Sequence, residues 1–337
     1  MINKLCLLIF SLPLLSLSQT LTGRVIDKVT QDPIETVSVY FDNTTIGTTT
    51  DENGDFVITY SDAVQSTLVI SFLGYEKVLI ADYRNRDTIF IELEEASNLL
   101  DEVYLEYDDG LSRRQKLRLF RKEFLGRSSF GRSCKILNEN DLTLRYNQRY
   151  KALYASSRVP LKVKNRALQY EVSYDIIDFE VQYRIVNLET QNFVPNSVSY
   201  QGTAFYKDLE KSKKKKVLKN RQKAYRGSVQ HFMRSLFNKN LKEEGYSIFF
   251  GGFAVNEWAY FSVENLDESD FKKVSLKDRV NILFNKEAQS EIKLSVEEFF
   301  VDEYGNYAPI LGVYFIGAMG GQRLGDTLPS DYGITKE

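Results

Sequence analysis

The chain of 337 residues holds one histidine, His231, and two cysteines, Cys6 and Cys134. Those counts bear directly on chemistry. Zinc peptidases take at least two histidine ligands in most sites, as in H-E-x-x-H, and catalytic zinc draws three protein ligands mostly from His, Glu and Cys. With His231 as the only histidine, a zinc carboxypeptidase is nearly excluded. A Ser-His-Asp triad would have to use His231, yet no G-x-S-x-G elbow is present. Ser228 precedes His231 by three residues on an expected helix, where the two side chains could meet on one face, but no third partner is identifiable. Catalytic residues: none are assigned.

Other chemistry is equally thin. There is no G-x-x-x-x-G-K-[ST] loop and no G-x-G-x-x-G turn, so nucleotide binding has no support and no cofactor or metal site is expected. The glycine-rich stretch Gly317 to Gly325 follows no βαβ pattern and reads as a packed surface loop. Acid pairs such as Glu297-Glu298 and Asp302-Glu303 could serve a glycosidase, though a chain with 46 acids holds such pairs by chance. Asp51, Asn53 and Asp55 match the first three ligand positions of an EF-hand loop. Positions six and twelve, which need Gly and Glu, are Phe56 and Asp62, so the stretch reads as a turn.

The elements that would position these residues are mostly strands. Val37, Val39 and Phe41 alternate with polar neighbours, and Phe56, Ile58 and Tyr60 do the same. Asn53-Gly54 between them predicts a type I′ hairpin turn. Leu68 to Leu73 is a continuous apolar run, suited to a strand buried on both sides. With Leu21 to Ile26, Lys77 to Ile80 and Thr88 to Leu93, this makes about seven short strands, the density of an antiparallel sandwich. The 21 tyrosines and 22 phenylalanines favour β structure throughout, and a net charge of −2 gives no global field for nucleic acid.

Ahead of these strands, Lys4, the apolar run Leu5 to Leu15 and the small-x-small Ser16-Leu17-Ser18 predict a secretory signal over 1–18, with Gln19 as the mature N terminus. Cys6 sits too early to accept lipid, and no later stretch is long and apolar enough to span a bilayer. The expectation is a soluble exported protein, periplasmic or outer-membrane-associated or extracellular, with no transmembrane segment after cleavage. Its one remaining cysteine, Cys134, has no partner for an internal disulfide and reads as a small buried hydrophobe.

The residues GRVIDKVTQDPIETVSVYFDNTTIGTTTDENGDFVI, then LVISFLGYEKVLI, then LDEVYLE at Leu100 to Glu106, resemble the carboxypeptidase regulatory-like domain. The resemblance implies a transthyretin-like sandwich over 19–106, of a kind common in exported Bacteroidota proteins and often placed before TonB-dependent outer-membrane receptors. The domain accompanies carboxypeptidases and is not their catalytic part.

Residues 107–126 read as a linker and helix. Leu117, Phe120, Phe124 and Leu125 lie at helical spacing, and Gly126 is the stop. The remainder, 127–337, reads as an α+β domain: β-rich, with one or two packed helices. Leu142 to Tyr206 predicts antiparallel strands with a tyrosine-rich face, on which a ligand could stack or which, more commonly, fills a sheet face. Glu210 to Arg221 (EKSKKKKVLKNR) is the strongest charge run, a solvated helix start or a contact for anionic lipid or polysaccharide. Lys223 to Leu241 predicts one helix with Tyr225, Val229, Phe232, Met233, Leu236, Phe237 and Leu241 as its apolar stripe and His231 off it. FRKEFLG, CKILN, RQKAYRGSVQHFMRSLFN with LKEEGY, and QRLGDTLPSDY resemble exported Bacteroidota proteins known only by the same regulatory domain, which brings no site residue.

Two functions follow as expectations. The first is an exported cell-envelope protein with a binding or assembly role, its partner an outer-membrane protein or an envelope glycan, with no nucleic acid. The competing one is a carboxylate-dependent hydrolase acting on glycan or peptide through the second domain.

Overall fold

The computed structural model describes residues 18–61, 66–84, 86–96, 110–266 and 269–333. Nearly all of the expected export signal, with Cys6, and the LDEVYLE segment lie outside the described residues.

Seven strands build the first body: β1 (Ser18–Asp27), β2 (Ser38–Phe41), β3 (Gly47–Thr49), β4 (Asp55–Ser61), β5 (Leu68–Ser71), β6 (Val78–Ile80) and β7 (Thr88–Leu93). They form two sheets, ordered β4-β1-β7 and β3-β2-β5-β6. Val37, Val39 and Phe41 from one sheet and Phe56, Ile58 and Tyr60 from the other meet in a common core, as their alternation predicts. Leu68, Val69 and Ile70 are fully buried, as the continuous apolar run predicts, but the strand ends at Ser71 and Leu73 is 73% exposed.

The sandwich departs from expectation twice. β1 pairs with β7 in parallel, Thr22 opposite Thr88 through Asp27 opposite Leu93, so the sandwich is not antiparallel throughout. The chain passes through the other sheet before β7 and so returns in the direction of β1. The Asn53-Gly54 turn does not close a hairpin, because β3 and β4 belong to different sheets. Only Gly54 has a positive φ, at 73°, whereas a type I′ turn needs one at both positions. The Asp51 carboxylate instead accepts from the backbone N–H groups of Asn53 and Asp55, each at 2.9 Å. That Asx geometry organises the crossing. A Cβ at Gly54 would lie 2.4 Å from the Val25 carbonyl, so the crossing also needs glycine for close approach.

In the second half, α1 (Arg113–Phe124) starts with a capping box between Ser112 and Gln115 and stops at Gly126, whose φ is 98°. It packs on strands β8 (Cys134–Ile136), β9 (Leu142–Asn147), β10 (Ala152–Ser157), β11 (Leu161–Asn165), β12 (Tyr170–Asn187) and β13 (Asn192–Asp208). These form one sheet, ordered β8-β11-β12-β10-β9, with β13 on the other edge of β12. The tyrosine-rich face is its core: Tyr146, Tyr170, Tyr174, Tyr183 and Tyr206 are buried. Phe120 and Phe124 of α1 stack at 4.8 Å and meet Phe179 and Tyr174 edge-on or tilted.

The expected helix from Lys223 to Leu241 is two helices, α2 (Lys215–Tyr225) and α3 (Val229–Phe237). Gly227, with φ of 77°, ends the first, and Ser228 caps the second. A Cβ at Gly227 would meet the Phe284 ring at 2.6 Å, so the break is also a packing point. Beyond α3 come β14 (Tyr246–Phe250), β15 (Phe253–Val255), β16 (Phe261–Asn265), β17 (Lys272–Leu276), β18 (Val280–Phe284), β19 (Ala288–Leu294), β20 (Glu298–Val301), β21 (Tyr307–Ala308) and β22 (Val313–Gly317). They form sheets ordered β15-β14-β18-β19-β22 and β16-β17-β20-β21. Phe232, Met233 and Leu236 of α3 are fully buried in the core shared with these strands. Residues 110–333 thus carry two hydrophobic cores, one around α1 and one around α3.

The sandwich joins the second half through backbone. The edge of β13 away from β12 takes the loop after β2: Asn43 donates to the Ala204 carbonyl at 2.6 Å, and Tyr206 donates to the Thr44 carbonyl at 2.9 Å. The Asp42 carboxylate accepts from the Ala204 N–H at 2.7 Å, and burial raises its pKa above the ordinary carboxylate value. Tyr40 lies 5.3 Å from the Phe205 ring, and Lys77 pairs with Asp175. The C-terminal segment closes over the same loop, with Ser330 donating to the Asn43 carbonyl at 2.7 Å and Asp331 accepting from the Thr45 N–H at 3.0 Å. An edge strand that exposes unpaired backbone groups is covered in this way.

Candidate functional site

His231 is the residue from which any triad would have to be built, and its partners decide that question. Ser228 begins α3, and its hydroxyl accepts from the His231 backbone N–H at 3.1 Å. The serine therefore serves as a helix cap and is not bonded to the imidazole. The residue is 3% exposed, although it lies off the apolar stripe of the single expected helix. The break at Gly227 explains this, because it folds Tyr225 of α2 back to within 4.8 Å of the imidazole. The sequence does carry a signal for it: Gly227 followed by Ser228 is a helix stop followed by a helix cap.

The imidazole is fully bonded. The Gly227 N–H can only donate, so Nδ1, 3.1 Å away, is an acceptor. Tyr246 then donates its hydroxyl to the same nitrogen at 2.9 Å, and Nε2 carries the proton toward the Glu244 carboxylate at 3.0 Å. Tyr246 and Glu244 are the partners that the sequence reading does not identify. Burial lowers the His231 pKa below 6.5; Glu244 opposes the shift, and Arg226 and Arg234 add to it. A neutral imidazole bonded by Gly227, Tyr246 and Glu244, with no serine or cysteine bonded to the ring, orders a core.

This geometry has a measurable consequence. Because the folded pKa lies below the unfolded value, the unfolded chain binds more protons between the two, and stability rises with pH across that window. The His231 contribution is complete above about pH 6.5 and is lost as pH falls toward the folded value. Wild type is expected to lose more melting temperature than His231→Gln between about pH 7 and pH 5, the difference isolating this group from Asp42, Asp302 and Asp326, whose raised values act with the opposite sign. Parallel curves for the two proteins would refute the assignment.

The remaining sequence candidates fall apart in space. The Cys134 thiol donates to the Phe130 carbonyl at 3.4 Å, and burial pushes its pKa up to about 12, so it stays a thiol. Asp302 has no exposed surface. Its carboxylate anchors a turn, accepting from the Tyr304 and Asn306 backbones at 2.9 and 2.8 Å and from the Asn306 amide at 2.7 Å. It cannot face a substrate beside Glu303. Glu298 lies 3.7 Å from Lys273 on the exposed side of β20. In the Gly317 to Gly325 loop, Met319 enters one core and Leu324 the other, so the loop is a packed connection. Among the described residues, no group of three or more His, Cys, Asp or Glu side chains is placed to hold a metal ion.

One exposed surface among the described residues gathers aromatic side chains. The β14–β15 hairpin turns at Gly251 and Gly252, whose φ values of 58° and 88° match a type I′ turn. The glycines carry Phe250 and Phe253 at its tip, and Phe253 is 76% exposed. Phe250 lies 5.0 Å from the Tyr260 ring. Tyr260 and Trp258, the only tryptophan, line an adjacent open groove of about 270 Å³ together with Ser262, Ser275 and Lys277. Trp258 is held by a 3₁₀ turn in which the Asn256 side chain accepts from its N–H at 2.8 Å. The lining combines aromatic faces, two serine hydroxyls, the Tyr260 phenol and one ammonium, without carboxylate, histidine or cysteine. Such a surface can stack and hydrogen-bond a partner. Its volume falls below the roughly 300–1,000 Å³ of small-molecule sites.

The fold defines a mainly β chain led by a sandwich, with two further cores and an exposed aromatic surface. The leading sandwich has a family. Residues 21–105 match the model of the CarboxypepD_reg-like domain, a non-catalytic domain compatible with a binding or assembly role. No curated protein matches the chain.

Proposed function

We propose that this is an exported cell-envelope protein that binds or assembles with an outer-membrane protein through its second half. The observation that carries the reading is the non-catalytic CarboxypepD_reg-like sandwich bonded along the edge of β13. That attachment leaves the Phe250–Phe253 tip and the Trp258–Tyr260 groove free for a partner. The export signal expected at 1–18 and the resemblance of the first domain to modules preceding TonB-dependent receptors supply the compartment and the partner class. Removal of Asp302 from solvent weakens the hydrolase reading.

A crosslinked pull-down of the protein from its own cell envelope tests this. The expected result is a reproducible outer-membrane protein whose recovery falls at least about tenfold with Phe253→Ser plus Tyr260→Ala, since exposed aromatic anchors concentrate binding energy. An empty pull-down, or equal recovery with the variant, would sink the proposal. Mass spectrometry of the same material is expected to find Gln19 at the N terminus, and retained Met1 would overturn the compartment.

A further inference from the structure

The lysine run remains outside the function argued so far, and the structure gives it a defined presentation. Seven lysines, Lys211, Lys213 to Lys216, Lys219 and Lys223, lie within thirteen residues of a chain whose net charge is −2. All seven are exposed, and none forms an ion pair among the described residues. The helix that carries most of them cannot roll. Val217, Arg221 and Ala224 form its buried side. Arg221 donates to the Leu168 carbonyl at 2.8 Å and to Asp208 at 2.6 Å, and lies 3.7 Å over the Tyr170 ring. Asn220 adds a bond to the Ala167 carbonyl at 2.9 Å.

With that side anchored, helical geometry turns Lys215 and Lys219 directly outward, with Lys216 and Lys223 on one flank. Leu218 sits on the other flank and is 50% exposed. The first turn contains no acid, and Lys214 caps it without a side-chain hydrogen bond. The lysines therefore repel one another and lie at the unfavourable positive end of the helix dipole. A negatively charged surface relieves both effects.

We infer that α2 docks the protein on an anionic phospholipid bilayer, its lysines meeting headgroup phosphates and Leu218 entering the acyl boundary. Leu218 selects a bilayer over a soluble polyanion, because an exposed leucine gains only where an apolar phase is offered. The inference goes beyond the proposed function and concerns a face separate from the aromatic groove, so either can fail without the other.

Co-sedimentation with vesicles tests it, using the full protein and variants that share its N terminus. Binding to phosphatidylcholine vesicles containing phosphatidylglycerol is expected to exceed binding to pure phosphatidylcholine by about a hundredfold or more and to weaken with salt. Replacing Lys213, Lys215, Lys216 and Lys219 together by Gln is expected to abolish that preference, and Leu218→Ser to weaken binding about tenfold. These side chains make no ion pair, so unchanged melting curves accompany both variants. Equal binding to neutral vesicles, or wild-type binding by the four-lysine variant, would overturn the inference. So would an unaffected Leu218→Ser variant whose binding is fully competed by a soluble sulfated polysaccharide.

Discussion

Arg234→Ala is expected to lower the free energy of unfolding by about 3 kcal/mol, since hydrogen bonds from a charged donor are worth about 1.5–3 kcal/mol each and partial exposure discounts the sum. The side chain leaves α3 and donates in three directions: Nε to the Tyr304 carbonyl at 2.8 Å, one terminal nitrogen to Tyr332 at 2.9 Å and the other to Ser330 at 2.8 Å. It also lies 5.3 Å over the Tyr225 ring. One guanidinium thus ties the α3 core to the turn after β20 and to the C-terminal segment. That segment in turn holds the Asn43–Thr45 loop, so the loss should spread to the sandwich junction. Hydrogen exchange is expected to speed up at Ser330 and Thr45 together. Gln230 still donates to the Pro329 and Ser330 carbonyls, so the segment loosens without complete release. Arg234→Lys should recover less than half of the loss, because an ammonium cannot bridge three separated carbonyls as a planar fork does. A lysine variant as stable as wild type in a denaturant titration would refute this account.

Gly325→Val is expected to destabilise by about 3 kcal/mol or more, through overpacking against backbone that cannot move aside. A Cβ at this position would stand 2.3 Å from the Leu125 carbonyl oxygen, 2.6 Å from the Gly131 Cα and 3.1 Å from the Cys134 sulfur. The glycine also donates to that Leu125 carbonyl at 3.0 Å and accepts from the Asn165 amide at 2.9 Å. Relieving the clash therefore costs two hydrogen bonds as well. Its φ does not lie in the left-handed region, so the effect is steric and should grow with side-chain size from Ala to Val. Equal melting temperatures for glycine, alanine and valine would show that the C-terminal segment docks elsewhere.

How much of this was legible in the residues depends on range. The inward faces of β2 and β4 follow from alternation at Val37, Val39 and Phe41 and at Phe56, Ile58 and Tyr60. The stop of α1 follows from Gly126. The tyrosines of β12 and β13 declare a filled sheet face. The break between α2 and α3 was also written locally, in Gly227-Ser228, but the apolar stripe across it favoured a single helix. Asn53-Gly54 misled differently: a turn does form there, but with a positive φ at Gly54 alone and Asx bonds from Asp51, and the next strand joins the other sheet.

His231 shows the limit for chemistry. Its solitude in the sequence argues against zinc catalysis before any coordinates. Its actual partners, Glu244 and Tyr246, lie thirteen and fifteen residues on, and no spacing rule connects them across a helix end and a strand.

Periodicity and turn residues determine the element types and their buried faces, because solvent partition acts on each residue where it stands. Tertiary structure alone decides that β7 runs parallel to β1, that Asn43 bonds Ala204 and that Ser330 returns to Asn43. Those pairings join generic backbone groups up to 287 residues apart, and a backbone amide carries no side-chain signature of the edge it will meet.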